Sequence, residues 1–337
     1  MKLDMNLLRD QAIKHVSGLW QPQYMGGGFK ESPDSYVSIM GTTDAAWIFY
    51  MLQAEDEIKK YGADACKWLL CQQKHDGHFY HDTPPYGASG YRHSEGHAYW
   101  MSVRALHIYG GDLPAFPAYM EDRRTPEGLA AWFSQSDWQT PDSNHHNVLS
   151  LIPTLVSNHD TDWENEFYRN LAAQQDLTVY TWCDNRDHKT NVSRTFAYCA
   201  MFMAGGRIPP HAREAVDTIL KIQRDSGIWE SRVDFPEYHT MDAVYILWRM
   251  GNAIQYPLQP RLDALNKAAD AMIVRLASHP IREYGHLHLL LANLHTLGLL
   301  QEALPERFKT DIPWRFDWDK ADMFYCKAIE NYYKKKR

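Results

Sequence analysis

Apolar and polar positions along this chain fall into two helical patterns. Stretches such as 44–52 and 242–250 are apolar nearly all round, the pattern of a helix buried on every side. Others carry a single apolar stripe. Over 212–223, Ala215, Ile219 and Ile222 share one face, while Arg213, Asp217 and Lys221 lie off it. Sustained period-two alternation is absent, and few Val, Ile or Thr runs are bounded by turns, so strands are not predicted as a principal element.

The two patterns alternate, and a shared phrase introduces the apolar one. A Gln is followed by a turn, usually with Gly, then an aromatic, then a polar loop into an apolar helix. Gln23 through Phe29 leads to Thr42-Thr43-Asp44. Gln73-Lys74-His75-Asp76-Gly77-His78-Phe79 leads to Glu95-Gly96-His97. Gln135 and Trp138 precede Asn144-His145-His146, Gln175 and Trp182 precede Ser193-Arg194-Thr195, and Gln223 through Trp229 precedes His239-Thr240-Met241-Asp242. A weaker copy, Tyr284-Gly285-His286-Leu287-His288, opens a Leu-rich run. Counted from Asp44 through His97, His146, Arg194 and Asp242 to His286, the period is about 44 to 53 residues, which suits one helical hairpin per repeat. Apolar helices inside and striped helices outside make a two-layer ring. The expectation is an all-α chain, an α/α toroid of about six hairpins, folded as one domain over 1–337. An open solenoid would need polar caps at both ends, and none is obvious. Pro84-Pro85 and Pro209-Pro210 fall between helices and punctuate them.

Composition narrows the function. Of 337 residues, 45% are hydrophobic and 13% aromatic, enough for a large core and for rings lining a cleft. The formal net charge of -7 argues against a nucleic-acid partner. The only basic run, 334–337, reads as a solvated end. No apolar stretch is long enough to span a bilayer, and the first ten residues do not read as a secretory signal. The five cysteines make no C-x-x-C pair, and with Cys66 and Cys199 in apolar runs they imply reduced thiols in a cytoplasmic protein.

The Gln–turn–aromatic phrase, followed by the Thr-Thr-Asp-Ala type of helix opening at 42–45, resembles the QW-like repeats of the terpenoid-cyclase and protein-prenyltransferase superfamily. The resemblance covers roughly Gln21 to Leu300 and implies the α/α toroid. Its chemistry does not carry over. Cyclases of that type use the middle Asp of a D-x-D-D motif, whereas the matching stretches here read Gly41-Thr42-Thr43-Asp44 and His239-Thr240-Met241-Asp242. There is no D-D-x-x-D metal motif and no match to the prenyltransferase zinc ligands. Similar turn–helix phrases occur in α/α-toroid glycosidases and polysaccharide lyases. The order of Asn144-His145-His146, Arg194 and Tyr238 is similar in type to that of alginate-type lyases.

In a toroid the inner-helix starts face one another. Those positions hold Asp44, Glu95, His97, His145, His146, Arg194, His239, Asp242, His286 and His288. Helix capping accounts for residues such as Thr43, Asp44, Ser94, Asn144 and Asp242 without any chemistry. It does not account for the histidines, because a protonated His is unfavourable at a helix N-terminus while a neutral one there serves as base or ligand. The leading expectation is an enzyme cleaving an oligosaccharide, uronate-containing or not, by elimination or hydrolysis. His146, with His145 beside it, is the base, Tyr238 the acid and Arg194 the carboxylate partner. Asn144 assists, and Asp44, Glu95 and Asp242 are alternative acids for two-carboxylate hydrolysis. His97, His239 and His286 complete the binding ring. Trp100, Trp182 and Trp229, with Trp20 and Phe79, would stack on sugar.

Two alternatives belong to other classes. An isoprenoid cyclase or prenyltransferase-like enzyme would line its cavity with Trp47, Tyr50, Trp100, Tyr198, Tyr245 and Trp248. A non-catalytic ligand-binding toroid would have a shallow mouth and no perturbed acid. No cofactor is expected. A divalent metal on His97, His146, Asp242, His286 and His288 is a further alternative, but it lacks a local ligand motif, and the His286-x-His288 spacing argues against joint ligation within one helix.

Overall fold

The computed structural model describes residues 2–23, 25–79, 95–136, 148–182, 188–230, 233–281, 284–316 and 321–335, with backbone alone at 95, 188–191 and 321. The expected residues Trp138, Asn144, His145 and His146 lie outside the described residues. The chain is mostly helical, with strands confined to two short two-stranded sheets among the described residues. Among these residues no helix is long and apolar enough to cross a membrane. The fold resolves into two compact units.

One unit comprises Met1–Gly18, Met51–Ala54 and Gln175–Asp319. It opens with the helix Met5–Ser17, capped by Asp4, whose carboxylate accepts from the Asn6 and Leu7 backbone N–H groups. Leu3–Asp4 pairs in parallel with Phe308–Lys309. The apolar helices His188–Ala204, Tyr238–Tyr245 and Leu287–Ala303 form its centre, the Tyr238 helix packing on both others. The striped helices Ala212–Lys221 and Leu258–Ser278 pack on this centre through one face each, with Ala212, Ala215, Val216 and Ile219 buried in the former. The Tyr238 helix continues through a π turn at Ile246–Met250. The buried Arg261 holds that turn, donating to the Leu247 carbonyl at 3.1 Å and to Asn252 Oδ1 at 2.7 Å.

The other unit comprises Leu19–Tyr50, Glu55–Gln174 and Lys320–Arg337. Trp20–Gln23 and Gly26–Phe29 make an antiparallel hairpin that precedes the helix Ile39–Met51. The helices Glu55–Gln72, Glu95–Ile108, Pro126–Gln135, Ile152–Ser157, Thr161–Ala173 and Lys327–Lys334 follow. Its core includes a buried guanidinium, that of Arg104, stacked 3.7 Å from the Trp47 ring and 5.1 Å from that of Phe324.

The repeated phrase has a physical basis that is the same in both units. In 73–79, Lys74 donates to His78 O and Gly77 donates to Lys74 O; in 223–229, Arg224 donates to Ile228 O and Gly227 to Arg224 O. The Gln side chain closes each turn, its Nε2 donating to Gly77 O at 3.2 Å and to Gly227 O at 3.0 Å. Gln175 does likewise toward Tyr180 O at 3.0 Å. The aromatic that follows is fastened to the next helix: the N–H groups of Phe29, Trp182 and Trp229 donate to the hydroxyls of Thr42, Thr195 and Thr240. The turn thus draws backbone and side-chain partners from within the repeat.

Those threonines correct the repeat register. With Thr42, Thr195 and Thr240 equivalent, Arg194 corresponds to His239 and Gly41. Asp242 corresponds to Asp44 and Ala197, not to Arg194. The helices also start earlier than expected. Ile39 opens the helix that contains Asp44, and Tyr238 the one that contains Asp242, so both carboxyls lie inside their helices.

The turn glycines are the sharpest test of this repeat. Gly227 has φ +89°, and a Cβ there would lie 2.4 Å from the Lys267 carbonyl oxygen. Gly206, with φ +67°, has nothing within 4 Å of the same added atom. Gly206→Ala should therefore cost only backbone strain, about 1 kcal/mol, and Gly227→Ala clearly more, about 2–4 kcal/mol, by urea unfolding. Equal losses would mean the turn is not pinned against the Leu258 helix.

Candidate functional site

Within the Gln175–Asp319 unit, the Tyr238 helix packs on the His188 and Leu287 helices, with contacts in its first two turns. Ser193 and Asp242 meet there, the serine hydroxyl donating to Asp242 Oδ2 at 2.6 Å. Tyr238 lies against His288, ring centroids 4.6 Å apart, and His288 is 6.5 Å from His286 in a near-parallel arrangement. Tyr238 and Asp242 are four residues apart on one helix, so these contacts share a helix face.

The geometry of each explains its chemistry. Asp242 is 2% exposed, in the fifth position of its helix. Its only hydrogen-bond partner among the described residues is Ser193, so the capping explanation does not hold for it. Burial pushes its carboxyl well above the usual carboxylate range; the Ser193 hydroxyl opposes this and the negative charge of Glu230 adds to it. The helix start is served instead by Glu230, 2% exposed. Its Oε1 accepts from the Glu237 and Thr240 N–H groups at 2.7 and 2.9 Å, and its Oε2 from the Thr240 hydroxyl at 2.6 Å.

His286 is the cap of the Leu287 helix, with extended backbone, and its Nδ1 accepts from Leu289 N–H at 3.4 Å. Such a contact needs an unprotonated Nδ1, the neutral form expected at a helix N-terminus. Because His286 precedes the helix, the spacing argument that would send its ring and that of His288 to different faces does not apply. Arg194, seventh in its helix, and His239, second in its helix, are buried beside Ser193 and Tyr238 in sequence.

The remaining expected residues are placed as follows. Trp182 and Trp229 are buried in this unit. The Trp229 indole N–H donates to Ile219 O at 2.8 Å, and Trp182 stands edge-on to Tyr198 at 5.9 Å. In the other unit, Asp44 is fully buried within the Ile39 helix, and Glu95 begins the helix that carries His97 and Trp100. His97 is buried edge-on to Trp100 at 5.4 Å, and Trp100 edge-on to Trp47 at 5.6 Å. Among the described residues no group of three or more His, Cys, Asp and Glu side chains is placed to hold a metal ion.

Ser193 and Glu230 carry no signal of their own in the sequence. Ser193 is separated from Asp242 by 49 positions, and Glu230 reads as a turn residue following Trp229. No protein family, curated protein or solved structure matches this chain.

Proposed function

We propose that this chain is an enzyme that cleaves an oligosaccharide, with uronate-containing ones among the candidates, by acid–base chemistry in the N-terminal two turns of the His188, Tyr238 and Leu287 helices. The observation that supports the proposal is that one helix carries both Asp242, bonded to Ser193, and Tyr238, lying against His288, four residues apart on the same face. Asp242 gives a proton to the glycosidic oxygen as the bond to it breaks. The Tyr238–His288 pair takes the proton that elimination, or the attack of water, releases. Arg194 pairs with the substrate carboxylate. The α/α-toroid plan is part of the same proposal. It is supported by the Gln-closed turn common to both units and by the all-round apolar helices at 39–51 and 287–303.

A second reading, an isoprenoid cyclase, draws support from the rings one turn beyond Asp242. Tyr245 is edge-on to Phe196 at 5.0 Å and 5.4 Å from Phe316, the kind of lining that shelters a carbocation.

Product analysis separates the two. On a panel of uronate glycans, rising ultraviolet absorbance marks elimination, and new reducing ends without it mark hydrolysis. Tyr238→Phe is expected to lower the rate about 10²-fold or more, as loss of a proton carrier does. Intact glycans with a cyclised polyprenyl product would refute the carbohydrate proposal and favour the second reading.

A further inference from the structure

Resting on that proposed site, we infer that Glu230 and Ser193 are positioning residues for Asp242: Glu230, the buried anion of the pair, keeps Asp242 a neutral carboxylic acid, while the Ser193 hydroxyl orients that carboxyl and opposes Glu230. Two carboxyl groups lie at the opening of one helix, each 2% exposed. Among the described residues neither is ion-paired. Their hydrogen bonding nevertheless differs sharply. Both oxygens of Glu230 accept, from two backbone N–H groups and one hydroxyl. The Thr240 hydroxyl accepts from Trp229 N–H through one lone pair and donates its hydrogen to Glu230 Oε2. That is the environment of a carboxylate. Among the described residues Asp242 has one hydroxyl contact and no backbone donor. An unpaired charge is expensive to bury, and a second one close to the first is more so. The proton therefore resides on Asp242.

The arrangement divides labour between two buried acids by environment alone. The charged and titratable groups on the elements packed around Asp242 are His188, Lys189, Arg194, Tyr198 and Cys199 on the His188 helix, His288, His295 and Glu302 on the Leu287 helix with its cap His286, and Tyr238, His239, Tyr245 and Glu230 on its own side. Glu230 raises the cost of ionising Asp242, and the Ser193 hydroxyl lowers it. The two positioning residues thus act in opposite directions, which a purely structural role would not produce.

The test is infrared titration of the whole protein in heavy water, following the protonated-carboxyl band that Asp242→Asn removes. In the wild type that band should persist at neutral pH. Glu230→Gln, which keeps an acceptor for the backbone donors, should make it titrate at lower pH. Ser193→Ala should make it titrate at higher pH. Absence of an Asp242-dependent band at neutral pH overturns the inference, and so does a titration that neither variant moves. Should Glu230→Gln fail to fold, the wild-type band and the Ser193→Ala shift still decide the matter. None of these readings requires substrate. A protein that shows the band and both shifts but cleaves no glycan refutes the carbohydrate proposal and leaves this inference standing.

Discussion

Asp242→Asn should cost about 10²–10⁴-fold in turnover, the usual loss on removing a general acid, and should at the same time make the folded protein more stable at neutral pH. The two effects share one cause. The Asp242 carboxyl is held well above its ordinary range, mainly by burial. An unfolded Asp titrates at about 3.9. Below that pH both states carry the proton and burial costs no ionisation penalty. Above it the folded state retains a proton that the unfolded state has released. Stability then falls as pH rises, until the folded-state carboxyl itself ionises. Asn cannot ionise, and its Oδ1 still accepts from the Ser193 hydroxyl. The variant and the wild type should therefore unfold alike near pH 3, and the advantage of the variant should grow with rising pH. Thermal melts across that range check it. A variant less stable than the wild type at every pH would mean that Asp242 is a structural carboxylate.

Arg261→Met is expected to be the most damaging substitution away from the site. The Arg261 guanidinium is buried and serves Leu247 O at 3.1 Å, Asn252 Oδ1 at 2.7 Å, Tyr256 O at 2.9 Å and Pro257 O at 3.3 Å. Its Cδ lies 2.6 Å from the position a Cβ on Gly251 would take, so the backbone and this side chain are in close contact. Met keeps the apolar stem and removes every donor. Acceptors left unpaired cost about 1–3 kcal/mol each where buried, so a total loss of about 3–5 kcal/mol is expected in urea unfolding. Lys restores the charge as a single point and should recover only part, because it cannot fork to acceptors on several sides. The consequence reaches the site: the π turn held by Arg261 is the continuation of the helix that carries Tyr238 and Asp242. A Met variant of wild-type stability would remove Arg261 from this role.

The helical class was legible because all-round apolar segments and single-stripe segments follow directly from which faces are buried. The Gln–turn–aromatic phrase was legible because its residues are close in sequence and hydrogen-bond locally, as the bonds from Gln73 and Gln223 do. The register was not. Counting from the residues with interesting chemistry aligned Asp242 with Arg194, whereas the equivalence is set by Thr42, Thr195 and Thr240, which look unremarkable in a sequence. Asp242, Tyr238 and His286 could be named in advance since they open an apolar run. Ser193 and Glu230 could not, because the first acts across 49 positions and the second caps a helix from the preceding turn. His286 was assigned to the helix interior when it is in fact the cap, a difference of one residue that changes which way its ring lies.

The most direct measurement is the pH dependence of glycan cleavage set beside the infrared titration of Asp242. If Asp242 is the acid that breaks the bond, the alkaline fall in kcat/KM for the free enzyme occurs where its protonated-carboxyl band disappears, and Glu230→Gln moves both to lower pH together. Cleavage that stays constant through that titration, or that survives Asp242→Asn at full rate, would contradict it.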